Sequence, residues 1–123
     1  MLIISGTDIS LTRGNSAVIE VTPYLTDPQE PVAIGEHDKV VFRVKSGGGY
    51  TKLTKELTAT DTTETGSLLL RLSPQDTLLL PEDTFFYDML YVYEDGEAYT
   101  FIPRSQFVLL PAVATVSEEG NHE

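Results

Sequence analysis

The stretch Val40-Val41-Phe42-Arg43-Val44-Lys45 decides the fold class, because its side chains alternate with a period of two. Val40, Phe42 and Val44 fall on one side of an extended chain, and the three intervening residues fall on the other. Residues 17–22 and 68–72 repeat the same alternation. This period is typical of half-buried β-strands, and the abundant Thr and Val favour a pleated surface over a helix.

On both sides of that stretch, similar extended segments separated by Pro and Gly predict strands along most of the chain. Three turns stand out: a rigid Asp27–Pro31 turn, a Gly47–Gly49 hairpin tip, and an Asp95-Gly96 hairpin, where Gly tolerates the positive φ of a tight turn. The predicted strands are 2–4 and 8–12 (one strand interrupted around Gly6), 16–24, 39–46, 51–60, 67–72, 85–93, 97–102 and 105–110.

One short helical turn is predicted between Ser73 and Leu79. Ser73 is a suitable N-cap, Pro74 suits the first helical position, and Asp76 lies in the first turn. Seven or eight short strands with turns every eight to twelve residues indicate an all-β, antiparallel β-sandwich. A small closed barrel is the alternative fold.

Composition limits the possible functions. The 123 residues are 41% hydrophobic and 22% charged, which is typical of a globular domain. A net charge of −11 disfavours nucleic acid and anionic membrane surfaces as partners. Zero Cys excludes disulfides, thiolate chemistry and Cys-type zinc sites, and two His leave little for His-based catalysis. We therefore expect no nucleic-acid partner, no membrane partner and no enzymatic chemistry.

The segment Leu80–Met89 resembles the E–F corner of immunoglobulin domains, whose pattern is Pro-Glu-Asp-Thr-x-x-Tyr-x-Cys. Tyr87 falls at the corner tyrosine, so the resemblance implies a buried ring whose hydroxyl bonds the backbone upstream. Met89 stands at the cysteine position and the chain has no Trp. The resemblance thus implies an Ig-like fold without the disulfide and Trp core of antibody domains.

A wider resemblance covers roughly residues 8–116. The order of short motifs along the chain is similar to that in Ig-like β-sandwich domains of tailed-phage and prophage structural proteins, and in particular to the N-terminal domain of baseplate upper proteins. Asn15 departs from this pattern, since Asp is usual there. The segments that carry the resemblance are Leu11-Thr12-Arg13-Gly14-Asn15-Ser16, 40–45, Leu72-Ser73-Pro74-Gln75-Asp76-Thr77, Tyr87-Asp88-Met89, the Asp-Gly hairpin and Phe107-Val108-Leu109.

The phage resemblance implies a role in building a virion tail or baseplate, with no catalytic residues, no cofactor and no metal. The expected partners are other virion proteins or further copies of the chain. We expect the protein in the virion, or in the host cytoplasm before assembly, with no signal peptide. The expected organisation is an Ig-like domain over residues 1–116 and a flexible acidic tail over 117–123.

The predicted strand at 85–93 suggests an interface. If Tyr87 points inward, then Phe86, Leu90 and Val92 point outward. Apolar side chains on a face that is expected to be solvent-exposed indicate that something packs against it. The 46–50 loop, the terminal segment or another subunit could pack there. The alternative is that the inward face is the opposite one.

A second functional class is a carbohydrate- or calcium-binding module of a cell-surface protein. Tyr91 and Tyr93 could stack on sugar rings, although the chain lacks Trp. Clustered loop carboxylates could bind Ca²⁺, although no Asp-x-Asp-x-Asp-Gly loop is present. A small hydrolase is a third class, for which the chain offers no defensible residue set. The acidic loops hold Asp27, Glu30, Glu36 and Asp38, then Asp61 and Glu64, then Glu94, Asp95 and Glu97.

Overall fold

The computed structural model describes residues 1–26 and 29–112. Strands dominate, and a 3₁₀ turn at Ala59–Asp61 and the helix α1 at Pro74–Leu78 are the helical elements of these residues. The prediction of an all-β fold with one short helix near 73–79 is confirmed, but the described residues form ten strands instead of the seven or eight expected. The strands are β1 (Leu2–Ser5), β2 (Asp8–Thr12), β3 (Ala17–Val21), β4 (Tyr24–Thr26), β5 (Gln29–Pro31), β6 (Lys39–Lys45), β7 (Thr51–Leu57), β8 (Leu68–Leu72), β9 (Thr84–Val92) and β10 (Ala98–Leu110).

Six strands form one sheet in the order β1-β2-β10-β9-β6-β7, and two pairs, β3-β8 and β4-β5, form separate two-stranded sheets. The large sheet and the β3-β8 pair bury their facing side chains in a single hydrophobic core. Phe42 of β6, Phe107 of β10 and Leu70 of β8 are each fully buried in it. The period-two alternation predicted for β6, β3 and β8 is therefore the alternation between this core and the outer surfaces.

Two expectations about strand pairing are wrong. β2 and β10 run parallel, with Ile9 opposite Phe107, so the large sheet is not purely antiparallel. Residues 2–12 form two antiparallel strands instead of one interrupted strand, because Gly6 at φ 61° allows the chain to reverse. Alternation shows that a segment is extended but carries no information about its neighbour in the sheet.

Other boundaries also differ from the prediction. The segments 97–102 and 105–110 belong to one strand, β10, whose register against β9 shifts near Ile102. The rigid turn expected at 27–31 is partly strand, since Gln29–Pro31 pairs with β4, while residues 27 and 28 lie outside the described residues. The predicted tail 117–123 and the domain boundary at 116 also lie outside them.

Helix α1 is held against the β2–β3 turn. The Ser73 backbone N–H donates to Asp76 Oδ2 at 2.7 Å, as expected for a capped first turn. Thr77 is fully buried, and its Oγ1 accepts a hydrogen bond from the Gly14 backbone N–H at 2.8 Å. Arg13 donates to the carbonyls of Leu78 and Leu80. The helix therefore forms a fixed corner of the domain.

No helix among the described residues has the length and apolar character needed to cross a membrane.

Candidate functional site

The faces of β9 are arranged as predicted. Phe85, Tyr87, Met89 and Tyr91 are buried in the core, and the alternative in which the faces are reversed is wrong. The three outward apolar residues, Phe86, Leu90 and Val92, are each half-buried instead of fully exposed. Part of the outer face of β9 is therefore covered by neighbouring side chains.

Tyr87 is buried and its hydroxyl bonds the backbone upstream, as the immunoglobulin-corner resemblance implies, although the partner is distant in the chain. It donates to the backbone carbonyl of Thr7, in the turn between β1 and β2. Thr7 Oγ1 in turn lies 2.7 Å from Ser105 Oγ. Burial raises the pKa of Tyr87 to about 12. The residue therefore ties β9 to the edge of the large sheet, a partner 80 positions away in the chain.

The outer face of β9 borders a groove of about 320 Å³, here called the outer groove. Phe86 and Leu90 form its apolar floor, and Arg43, Lys45 and Arg104 surround them. The Arg104 guanidinium carbon lies 3.7 Å from the Phe86 ring centroid, a cation–π contact. The predicted cover by the 46–50 loop is partial, since Ser46, Gly47 and Gly49 line the groove and leave it open.

A residue of this face that the sequence analysis did not single out is Val41. It lies opposite Leu90 on the neighbouring strand and is only 6% exposed, although it is not part of the core cluster. Its apolar character between Val40 and Phe42 is the sequence signal for it. Val41 and Leu90 together make an apolar pair on the side of the sheet that faces away from the core.

A second concave site lies at the end of the β9–β10 hairpin and is here called the hairpin cleft. It has a volume of about 490 Å³. Tyr91 and Tyr93 have ring centroids 4.8 Å apart, and Tyr93 and Tyr99 have centroids 5.9 Å apart. The remaining lining consists of Pro23, Tyr24, Val32, Asp95, Glu97, Thr100 and Phe101.

Asp38 does not line the hairpin cleft but accepts hydrogen bonds that hold the cleft residue Tyr91 and the start of the hairpin turn. The Tyr91 hydroxyl donates to Asp38 Oδ2 at 2.7 Å, and the Glu94 backbone N–H donates to Asp38 Oδ1 at 2.9 Å. The bond from Tyr91 holds the pKa of Asp38 below its usual value, and the backbone bonds from Glu94 and Gly35 add to this lowering. Burial, with the bond to Asp38, raises the pKa of Tyr91 to about 12. The pair therefore stays as a carboxylate and a neutral phenol over the whole physiological range.

The carboxylates at the rim of the hairpin cleft lie beside exposed rings. The Tyr99 hydroxyl donates to Glu97 Oε2 at 3.2 Å, and this bond raises the pKa of Tyr99. Asp95 Oδ1 accepts the Glu97 backbone N–H at 2.9 Å, which stabilises the turn. The rim therefore combines aromatic faces with carboxylate oxygens, a chemistry suited to sugar hydroxyls or to cationic groups.

Only part of this aromatic set is predicted from the sequence. Tyr93 lies in the hairpin cleft as a half-buried ring, but Tyr91 is 2% exposed and offers no free face. The exposed rings are Tyr99 and Tyr24, at 51% and 42%. Tyr99 could have been found, because the Asp95-Gly96 turn places it opposite Tyr91. No sequence pattern places Tyr24 in the hairpin cleft, since it belongs to β4, which is distant in the chain.

The predicted acidic loops do not assemble into a metal centre within the described part of the chain. No group of three or more His, Asp or Glu side chains that could hold a metal ion occurs there. Asp38 is hydrogen-bonded to Tyr91 and to the Glu94 backbone, and His37 beside it is exposed. Asp27 lies outside the described residues.

No family model, curated protein or solved structure matches this chain.

Proposed function

We propose that this chain is a non-enzymatic structural module of a phage or prophage virion, which acts by protein–protein contact through the outer face of β9. The observation that carries the proposal is the set of apolar side chains on the outer face of the sheet, which along β9 is interrupted by the exposed Asp88. Phe86, Leu90 and Val92 face away from the core, and Val41 lies beside Leu90. A sheet face that meets only water normally alternates to polar residues, so an apolar set there favours a protein partner.

The fold proposed for this module is an Ig-like β-sandwich. Its support is that the large sheet and the β3-β8 pair share one core, which is the way two packed sheets are stabilised. The virion assignment has its support in the phage resemblance. Two of the segments that carry the resemblance touch in space, through the Gly14 N–H and Thr77 Oγ1. The short segments therefore belong to one structural unit.

Incorporation into virus particles tests this proposal. Particles purified from a lysate of the source culture should contain the chain by mass spectrometry. Leu90→Glu should prevent its incorporation, because a buried unpaired charge at a protein contact is costly. Val18→Glu is the matched control, since Val18 is 53% exposed on β3, and it should be incorporated normally.

Circular dichroism of both variants establishes that each is folded. A chain found only in the particle-free fraction would contradict the virion assignment. Equal incorporation of Leu90→Glu and Val18→Glu would contradict the assigned surface.

A sugar-binding module is the second candidate, and the hairpin cleft favours it. Tyr99 and Tyr24 present exposed rings, and Asp95 and Glu97 supply oxygens that accept hydrogen bonds from sugar hydroxyls. NMR titration with neutral oligosaccharides should then shift hairpin resonances, and Tyr99→Ala should abolish the shift. Tyr50→Ala is the control, because Tyr50 is more exposed than Tyr99 but does not line the cleft. Unchanged spectra would remove this candidate.

A further inference from the structure

The outer groove is lined mainly by cationic side chains, whereas the protein as a whole is acidic. The chain has eight Lys and Arg residues, and three of them, Arg43, Lys45 and Arg104, line this one groove. The ion pairs found among the described residues use Lys39 and Lys55, so none of the three groove cations has a carboxylate within 4.0 Å there. Within the part of the chain that the structure describes, Asp88, opposite Arg43, is the one acidic side chain lining the groove. The groove therefore favours an acidic partner.

The tip of the β9–β10 hairpin has the opposite character. Glu94, Asp95 and Glu97 are all exposed within four consecutive positions, and two of them border the tyrosines of the hairpin cleft. Carboxylates beside exposed aromatic rings are a favourable environment for Lys and Arg, through ion pairing and cation–π contacts. The carboxylates and tyrosine rings at the hairpin tip therefore suit the Lys and Arg side chains of the outer groove.

These two surfaces lie too far apart to meet within one molecule. The groove borders Phe86 near the start of β9, and the tip follows Val92 at its end. Leu90, at one end of the groove, is only two residues from Val92. The cations Lys45 and Arg104 lie beside Phe86 at the other end, which is roughly 20 Å from Val92 at about 3.3 Å per residue. The tip of one copy can therefore reach the groove only of another copy.

We infer that the outer groove binds the acidic hairpin tip of a second copy of this chain, so that copies join head to tail. This inference rests on the proposed function, because it names the partner of the same outer face. The net charge of −11 makes two copies repel, and the groove is the place where local attraction opposes that repulsion. A head-to-tail contact joins two different surfaces, so it closes into a ring or extends into a filament.

Charge reversal with complementation tests the contact. The groove variant carries Lys45→Glu and Arg104→Glu, and it keeps Arg43 as the cross-strand neighbour of Asp88. The tip variant carries Glu94→Lys and Glu97→Lys, and it keeps Asp95, whose carboxylate supports the turn. Each variant alone should associate at least about tenfold more weakly than the wild type. An equimolar mixture should recover assembly, because each reversed surface then meets its reversed partner.

Light scattering on a size-exclusion column and sedimentation velocity measure the outcome. Arg71→Glu, an exposed cation reversal on β8, is the control and should assemble like the wild type. A wild type that is monomeric at every concentration would overturn the inference, and so would variants that fail to assemble when mixed. Variants that each assemble alone would also overturn it. None of these results affects particle incorporation of the chain, which tests the proposed function separately.

Discussion

At the scale of single residues, Asp38 joins the segment before β6 to the β9–β10 hairpin. Its two carboxylate oxygens accept hydrogen bonds from Tyr91 and from the Glu94 backbone. Because the carboxylate form is the one that is bonded, the pKa of Asp38 is lowered in the folded protein. A lowered pKa contributes stability that is present above the unfolded pKa and is lost as the pH falls through the folded one.

Asp38→Asn should therefore lower the Tm at neutral pH. It should also reduce the fall in Tm that occurs when the pH is lowered into the acid range. Thermal melts of wild type and variant between about pH 2 and pH 7 measure both effects. Glu36→Gln is the control, because Glu36 is an exposed carboxylate in the same segment. Parallel pH profiles for wild type and Asp38→Asn would contradict the role given to Asp38.

Tyr87→Phe should cost about 1 kcal/mol of the free energy of unfolding, since it removes a hydroxyl that satisfies the Thr7 carbonyl while keeping the buried ring. The raised pKa of Tyr87 adds a second readout. Its neutral hydroxyl contributes stability that is complete below about pH 10 and is lost as the pH rises towards 12.

Urea unfolding at neutral and alkaline pH measures this prediction. The Tyr87→Phe variant should lose less stability than the wild type on going to alkaline pH. Tyr50→Phe, at a residue that is 73% exposed, should match the wild type throughout. If both tyrosine variants behave alike, the hydrogen bond to Thr7 contributes nothing measurable.

At the scale of elements, helix α1 is too short to be stable by itself and depends on its tertiary contacts. Its start is visible in the sequence, because Ser73, Pro74 and Asp76 form a recognisable N-terminal pattern. The position of the helix cannot be predicted from the sequence, because it depends on the hydrogen bond from the distant Gly14 N–H to Thr77 Oγ1. Gly14 adopts φ 82°, a conformation that favours glycine and presents its N–H to the helix.

Thr77→Val should destabilise the fold by about 1–3 kcal/mol, because valine keeps the shape but leaves the buried Gly14 N–H without an acceptor. Thr77→Ser restores the oxygen and should recover part of the loss. Thr51→Val, at an exposed position of β7, should change little. Chemical denaturation of the three variants makes the comparison, and equal stability of the Val and Ser variants would contradict the hydrogen-bond explanation.

At the scale of the whole molecule, Phe42 lies at the centre of the core. It is fully buried, with its ring centroid 5.2 Å from that of Tyr87 and 6.0 Å from that of Phe107. Phe42→Ala should cost about 3–5 kcal/mol, a large share of the 5–15 kcal/mol typical of a domain. Phe101→Ala, at a half-buried ring beside the core, should cost clearly less. Urea unfolding measures both, and similar losses would show that Phe42 is not central.

The two candidate sites also belong to the whole molecule, because each is built from strands that are distant in the chain. The outer groove combines cations of β6 and β10 with the outward side chains of β9. The hairpin cleft combines the β9–β10 hairpin with Tyr24 and Val32 from around the β4-β5 pair. The alternation of one strand predicts the β9 members of both sites. It does not predict Arg43, Lys45, Arg104 and Tyr24, because these residues reach the sites only through strand pairing and packing.

The all-β character, the capped turn after Ser73 and the presence of two alternating faces on β9 follow from the amino-acid sequence, whereas the choice of the buried face of β9 depends on the assembled core. The features that follow from the sequence depend on local patterns, namely a period of two and the chemistry of a helix start. The tertiary structure decided the parallel pairing of β2 with β10, the reach of the Tyr87 hydroxyl to Thr7, and the gathering of three cations around Phe86. The physical reason is that strand pairing joins backbone groups which are alike in every strand, so the partner is selected by packing of the whole core.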